Sequence, residues 1–324
     1  MRQMKKLFFT LIVFLAGFAV NISFAQPYPS KPIRLVVPFP PGGPTDLLAR
    51  AIGQKLQERI GQSVIIDNKP GASTIIGVDA VVKSPADGYT LLLGSNSLAL
   101  NRFLILKMPY DIDRDIAPVI LLTKISNALV VHPSLPVKDL KEFIAYAKAN
   151  PGKITYASTG NGTATHLFGE MFASMTGIDM THVPYKGTAP ALNDLLSGQV
   201  TSMFDSLTSV IPNVRAGKVR LIGLTNSKRA MFAPEMPTLS ELGLPDYEAI
   251  GWFGIAAPAK VPAEVINKLN FEINAILQTP EMATKLSQLG GEVAGGSPDD
   301  FKLFIQSEAK KWGRVIQNAK IKME

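Results

Sequence analysis

The sequence contains no cysteine. That excludes a disulfide framework, Cys-ligated zinc, an iron–sulfur cluster and a thiol nucleophile. It also excludes a lipoprotein anchor, which needs a Cys at the cleavage site. Histidine is scarce: His132, His166 and His182 are the three in the chain, and they show no metal-ligand spacing such as H-E-x-x-H. No G-x-x-x-x-G-K-[ST] phosphate loop and no G-x-S-x-G nucleophile elbow occurs. No resident cofactor or metal is therefore expected. Long cationic runs are missing as well. The formal net charge of +7 is spread out, with no five consecutive Lys or Arg, so a nucleic-acid partner is not expected. The pair Lys310-Lys311 reads as a solvated helix face. A glycine period and a heptad run are both absent, and 46% hydrophobic residues exclude a disordered chain.

What is present begins with an address. Arg2, Lys5 and Lys6 precede an apolar run from Leu7 to Val20, and Ser23-Phe24-Ala25 forms a small-x-small site. The pattern predicts a signal peptide, residues 1–25, cleaved before Gln26. The run is too short for a membrane span, and no later stretch is apolar enough. An exported, soluble protein is expected, and cleavage removes three of the surplus positive charges.

The rest alternates strand with helix. Strands are expected at 33–38, 64–67, 89–93, 128–131, 154–157, 181–183, 200–204, 219–224 and 250–256. Helices are expected at 45–60, 74–82, 137–149, 163–175, 190–196, 208–216, 262–277, 281–289 and 298–319. Leu47, Leu48, Ala51, Ile52, Leu56 and Ile60 share one face of the first helix, and Gly61 stops it. Such alternation predicts an α/β fold of mostly parallel sheets flanked by helices. Two sheets fit 324 residues better than one. Candidate crossovers are 121–131 and 247–258. They give a first lobe at 26–124, a second lobe at 125–248, and a return to the first at 249–324 with the C-terminal helices.

A glycine-rich strand-to-helix turn occurs twice. Phe39-Pro40-Pro41-Gly42-Gly43-Pro44-Thr45-Asp46 follows the first strand, and Ser158-Thr159-Gly160-Asn161-Gly162-Thr163 follows a strand mid-chain. Such turns leave backbone N–H groups free at a helix start, where the helix dipole favours an anion. Ordinary capping is the alternative for either turn alone. One turn per lobe suggests a cleft that grips an anion from both sides. His166 falls in the first turn of the second helix and could face the same anion. His132 and His182 read as structural. Asp205, at a strand end, could cap a helix or accept a hydrogen bond from a ligand. Lys186 reads as an exposed strand-end lysine.

Ten segments then carry a resemblance. They include Tyr28-Pro29-Ser30-Lys31-Pro32-Ile33-Arg34, VPFPPGGPTD at 37–46, Asp67-Asn68-Lys69-Pro70-Gly71-Ala72, Asp87-Gly88-Tyr89-Thr90-Leu91-Leu92, YASTGNGT at 156–163, HVPYKGTAPALNDLLSGQV at 182–200 and Trp252-Phe253-Gly254. The chain resembles the Bug-type solute-binding proteins of tripartite tricarboxylate transporters over nearly all of its length after the leader. The resemblance implies a non-enzymatic, monomeric, two-lobe periplasmic binding protein of type II, which closes on a small carboxylate and delivers it to the large and small membrane subunits of a secondary transporter. It maps ligand contacts to Phe39, Gly42, Gly43, Thr45, Asp46 and Ser95 in the first lobe. In the second it maps them to Ser158, Asn161, Gly162, Thr163, His166 and Asp205. Two positions depart from the family pattern. Pro44 cannot donate an N–H, and Ser73-Thr74 replaces a more glycine-rich stretch. The alternatives are a secreted α/β hydrolase acting on a carboxylate ester, and a solute sensor.

Overall fold

The structure, a computed structural model, describes residues 28–321. The expected leader and its cleavage before Gln26 lie outside the described residues. From Lys31 onward the described residues form one compact unit.

In chain order the elements are β1 (Ile33–Val37), α1 (Pro44–Ile60), β2 (Val64–Asn68), α2 (Ile75–Val82), β3 (Thr90–Ser95), α3 (Ser97–Leu104), the short α4 (Ile112–Asp115) and β4 (Ile116–Ile125). Then come β5 (Asn127–Val131), α5 (Leu140–Ala149), β6 (Ile154–Ser158), α6 (Ala164–Thr176), β7 (Met180–Pro184), α7 (Thr188–Leu196), β8 (Ser202–Ser206), α8 (Leu207–Arg215) and β9 (Arg220–Leu224). The chain ends through β10 (Gly251–Pro258), α9 (Ala263–Leu277), α10 (Pro280–Gln288), β11 (Gly291–Gly295) and α11 (Pro298–Asn318).

Two open sheets result, ordered β11-β4-β10-β3-β1-β2 and β7-β6-β8-β5-β9. The chain leaves the first for the second at Ser126, between β4 and β5. It returns between β9 and β10. The two-lobe α/β architecture is as expected, but the strand pairing is mixed rather than mostly parallel. β1 pairs parallel with β2 and β3, and β6 with β7 and β8. β10 runs antiparallel to β3 and β4, β11 to β4, and β5 to β8 and β9. The reason is topological. A strand–helix unit delivers its strand end to the cleft, whereas β5 and β10 enter a lobe at the cleft and must run away from it.

Local chemistry explains most elements. The IRLVV of β1 is almost wholly buried, as a central parallel strand requires. Pro44 occupies the first position of α1, where its missing N–H is harmless. Gly61 closes that helix with φ 69°, the left-handed cap only glycine adopts freely. Leu48, Ile52 and Leu56 of the expected face are buried; Leu47 is 44% exposed, against expectation. It lines a surface hollow between α1 and α10. The sequence reading missed α3, α4, β4 and β11. GEVAG has one strand former, Val293, among residues that disfavour strands, and β11 exists because β4 offers it an edge.

The C-terminal helix serves both lobes. Phe301 and Ile305 of α11 pack with Trp252 and Leu92 under the first sheet. About three turns later, Trp312 and Ile316 join Phe168, Phe172, Tyr156 and Phe204 under the second. Trp312 lies 5.6 Å from the Phe168 ring, and Leu100 and Leu104 of α3 enter the same cluster. Lys311 corrects the solvated-face reading of Lys310-Lys311. It is half-buried, bonding the Glu248 carbonyl at 3.0 Å and pairing with the buried Glu308.

Candidate functional site

A cavity of about 600 Å³ lies between the two sheets. The first lobe contributes Phe39, Pro44, Thr45, Ser73, Thr74, Ser95, Asn96, Ser97 and Asn101 to its wall. The second contributes Thr159, Asn161, Gly162, Thr163, Thr188, Ser206, Thr208 and Ser209, and the return strand adds Trp252 and Phe253. Among the described residues, no Asp, Glu, Lys, Arg or His lines it.

Backbone dipoles replace side-chain charge. Five helices, α1, α3, α6, α7 and α8, start at this wall, with Gly43, Asn96, Thr163, Gly187 and Ser206 at their N-caps. None of the five is capped by a side chain. Away from the cavity, Asp111, Asp139, Thr279 and Ser297 each cap their helix with an oxygen, and α9, which follows Pro262, is the exception. The positive helix ends are thus left for something in the cavity.

The two glycine loops are built alike. The Gly42 N–H donates to Asp46 Oδ2 at 3.0 Å, and the Gly162 N–H donates to His166 Nδ1 at 3.0 Å. Asp46 and His166 hold the same position of their helices, the third, and each glycine is four residues earlier. Both glycines are left-handed, φ 84° and 68°, which turns the amide back towards the helix. Asp46 also accepts from Arg50 at 2.8 Å and from Asn68 at 3.0 Å. The Arg50 bond leads the effects that hold its carboxyl down to about 2, against the opposing effect of burial.

The second loop is held by histidines. His166 and His182 stack with centroids 3.8 Å apart and planes 4° from parallel. His182 Nε2 meets Ser158 Oγ at 2.6 Å, and Ser158 Oγ in turn accepts the Gly160 N–H at 3.1 Å. Behind them Tyr156 donates to Glu170 at 2.5 Å, and Glu170 lies 3.7 Å from His166 Nε2. Burial, and then His166, push the His182 imidazole down to about 4.

The expected contacts therefore divide. Phe39, Thr45, Ser95, Asn161, Gly162 and Thr163 line the cavity. Gly42, Gly43, Asp46, Ser158, His166 and Asp205 stand outside that lining. Asp46 and His166 fix the loops from behind, because a side chain on the third residue of these helices reaches back to the preceding amide, and Ser158, at the end of β6, accepts the Gly160 N–H. The Thr163 hydroxyl is also occupied, donating to the Gly160 carbonyl at 2.7 Å. Asp205 is not a helix cap: Ser206 is the N-cap of α8, and its N–H donates to Asp205 Oδ1 at 2.6 Å. Oδ2 of Asp205 is buried without a hydrogen-bond partner. Burial pushes this carboxyl up, with Thr188 and Ser206 opposing. Lys186 is exposed and away from the cavity, as read from the sequence. His132 is tied into its own turn through Ser134 at 2.7 Å. His182 is structural, as expected, but its structure is that of the loop.

Asn101, Thr208 and Ser209 were not singled out from the sequence. Their signal was faint: polar residues inside the first two turns of a helix starting at a strand's C-terminal end. Asn101 holds the Ser73 carbonyl at 2.8 Å. It steadies Ala72, Ser73 and Thr74, three consecutive non-glycine residues with φ of 45°, 52° and 78°. The departure noted at Ser73-Thr74 thus falls where backbone strain is largest.

Comparison with known proteins places this geometry. Residues 48–321 match the model of the tripartite tricarboxylate transporter family receptor. Protein BugT of Bordetella pertussis is 37% identical over 311 residues, 95% of each chain. The R. palustris protein Rpa4515, solved with adipate, is 39% identical and superposes with a TM-score of 0.79, covering 91% of this chain and 100% of that one. MatC of Rhodopseudomonas palustris, solved with bound malate, is 32% identical with a TM-score of 0.73, covering 89% and 100%. The relatives are solute-binding receptors and not enzymes. An open two-sheet cleft, entered by uncapped helices and matched along most of the chain, has one family reading: the chain belongs to the receptors of the tripartite tricarboxylate transporters, as a Bug-type solute-binding protein.

Proposed function

We propose that this chain is a periplasmic receptor that binds a small carboxylate lacking an amino group. It then delivers the solute to the large and small membrane subunits of a secondary transporter, acting as a monomer. The observation that carries the reading is the cavity wall: uncapped helix N-termini from both lobes, hydroxyls and amides, and no charged side chain. Oriented N–H groups suit an anion. The missing carboxylate leaves an ammonium group without a partner, which disfavours amino acids. The adipate and malate held by the two relatives are acids of this kind. We take the first lobe as 26–124 with 249–324 and the second as 125–248. Closure brings Thr45 and Phe39 towards Asn161, Gly162 and Thr163.

The test is a thermal-shift screen on refolded, ligand-stripped protein. Its panel is adipate, malate, citrate, aspartate, glutamate and benzoate. A ligand at about 1,000 times its Kd stabilises by roughly 4 kcal/mol, a shift of several degrees. A shift with adipate, malate or citrate that Gly162→Val abolishes is expected. A shift confined to aspartate and glutamate would overturn the selectivity. No shift with any acid would overturn the carboxylate reading.

A further inference from the structure

A buried imidazole, His166, in parallel contact with a half-buried one, His182, is an unusual support for a loop that needs only backbone donors. The matching loop does without them: Asp46 holds Gly42 as a permanent anion. His166 holds Gly162 only while its Nδ1 carries no proton, since a protonated nitrogen cannot accept the Gly162 N–H. Its remaining proton then sits on Nε2, facing Glu170 Oε1 at 3.7 Å. His182 reaches the same loop through Ser158, which holds the Gly160 N–H. At 3.8 Å between centroids the rings cannot both be cations without strong repulsion. The titratable groups facing the pair are Glu170 on α6 and Tyr156 on β6, with Tyr247 beyond Tyr156.

We propose that His166 and His182 are positioning residues which make the second glycine loop proton-switched. The neutral pair keeps the Gly160 and Gly162 amides turned inward, and a proton on His166 Nδ1 releases the Gly162 amide towards the cavity. Gly162 lines that cavity and sits at φ 68°, a glycine conformation from which the peptide can turn without a side-chain clash. The first loop has no such switch. The inference concerns the proposed carboxylate site, and its importance for the solute rests on that reading. The switch itself is read without any solute.

The experiment is a pH titration from 8 to 5 of the ¹⁵N-labelled protein, free of ligand, followed by amide and imidazole ¹⁵N shifts. At pH 8 the His166 ring is expected as the Nε2–H tautomer. On acidification Gly160 and Gly162 should shift together with one midpoint, while Gly42 stays flat. His166→Asn, whose Oδ1 can still accept from Gly162, should remove the step, and His182→Gln should move its midpoint. Three results would overturn the proposal: an Nδ1–H tautomer of His166 in the native protein, flat Gly160 and Gly162 amides, or a step unchanged in both variants. The tautomer and the amide titration need only the native protein, so a variant that fails to fold leaves the test intact. A failure of the carboxylate screen would leave these spectra unchanged, so the two readings fall separately.

Discussion

Asp46 and His166 occupy the same helix position in the two lobes, and each accepts the amide of the glycine four residues before it, at 3.0 Å in both cases. One acceptor is a carboxylate held ionised by Arg50, and the other is an imidazole stacked on a second imidazole. The two halves of the site share a geometry but not a chemistry.

Their acid behaviour should differ accordingly. The native state holds His182 at about 4, below the ordinary 6.5, so it favours the neutral ring. That contribution is whole above about pH 6.5 and is lost as the pH falls towards 4. Asp46 sits at about 2, below the ordinary 3.8. Its contribution is whole above about pH 4 and is lost only near 2. Thermal melts between pH 7.5 and 4.5 should show an acid limb that His182→Gln flattens. Asp46→Asn should lower the melting temperature by the same amount across that range. Parallel limbs in native protein and His182→Gln would refute the assignment.

Asp205 is a buried carboxylate short of a hydrogen-bond partner. Its Oδ2 is buried and unpartnered, and burial raises the carboxyl. A raised carboxyl favours folding when protonated, and that advantage is lost as pH rises through the folded value. Asp205→Asn should therefore melt higher than the native protein at pH 7, by about 1 kcal/mol or more. The gap should close on acidification. An amide that destabilises at pH 7 would mean that the anion has a partner in solution.

Asn96 joins the first lobe to the returning chain. Its side chain donates to the Ile250 carbonyl and accepts the Trp252 N–H, both at 3.0 Å and buried. Asn96→Ala leaves two buried backbone groups unpaired, a loss of roughly 2–4 kcal/mol. Denaturant unfolding should reveal this, with Asn96→Asp no milder at pH 7, because it keeps the acceptor for Trp252 but sets a buried carboxylate oxygen against the Ile250 carbonyl. Ser97, the next residue, offers a milder control, since its hydroxyl meets the neighbouring Ser95 hydroxyl at 3.1 Å.

The left-handed segment at 72–74 gives a backbone prediction. Ser73 is exposed, with φ 52° and ψ 44°. Ser73→Gly should fold with undiminished stability, since relief of strain offsets the added freedom of the unfolded chain. Ser73→Val should lose about 1–2 kcal/mol, because a branched side chain resists this conformation. Equal melting temperatures for the two would remove the strain argument.

Much of this protein was written in the order of its residues. Alternation of β-branched runs with 3.6-periodic helices determined the α/β class. The two turns at 39–46 and 158–163 marked both walls of the site, and Gly42 and Gly162 could be recognised as special because only glycine suits such turns. Tertiary structure decided which polar groups face the cavity and which face the loop. The family resemblance mapped Asp46, His166 and Asp205 to the ligand. They lie outside the lining because nearby backbone amides claim their acceptors. It also decided the mixed pairing, β11, and the sharing of α11 between two cores. Those features depend on partners far apart in the chain, such as Thr123 beside Val293 or Trp312 against Phe168. No local pattern encodes a contact whose other half lies more than a hundred residues away.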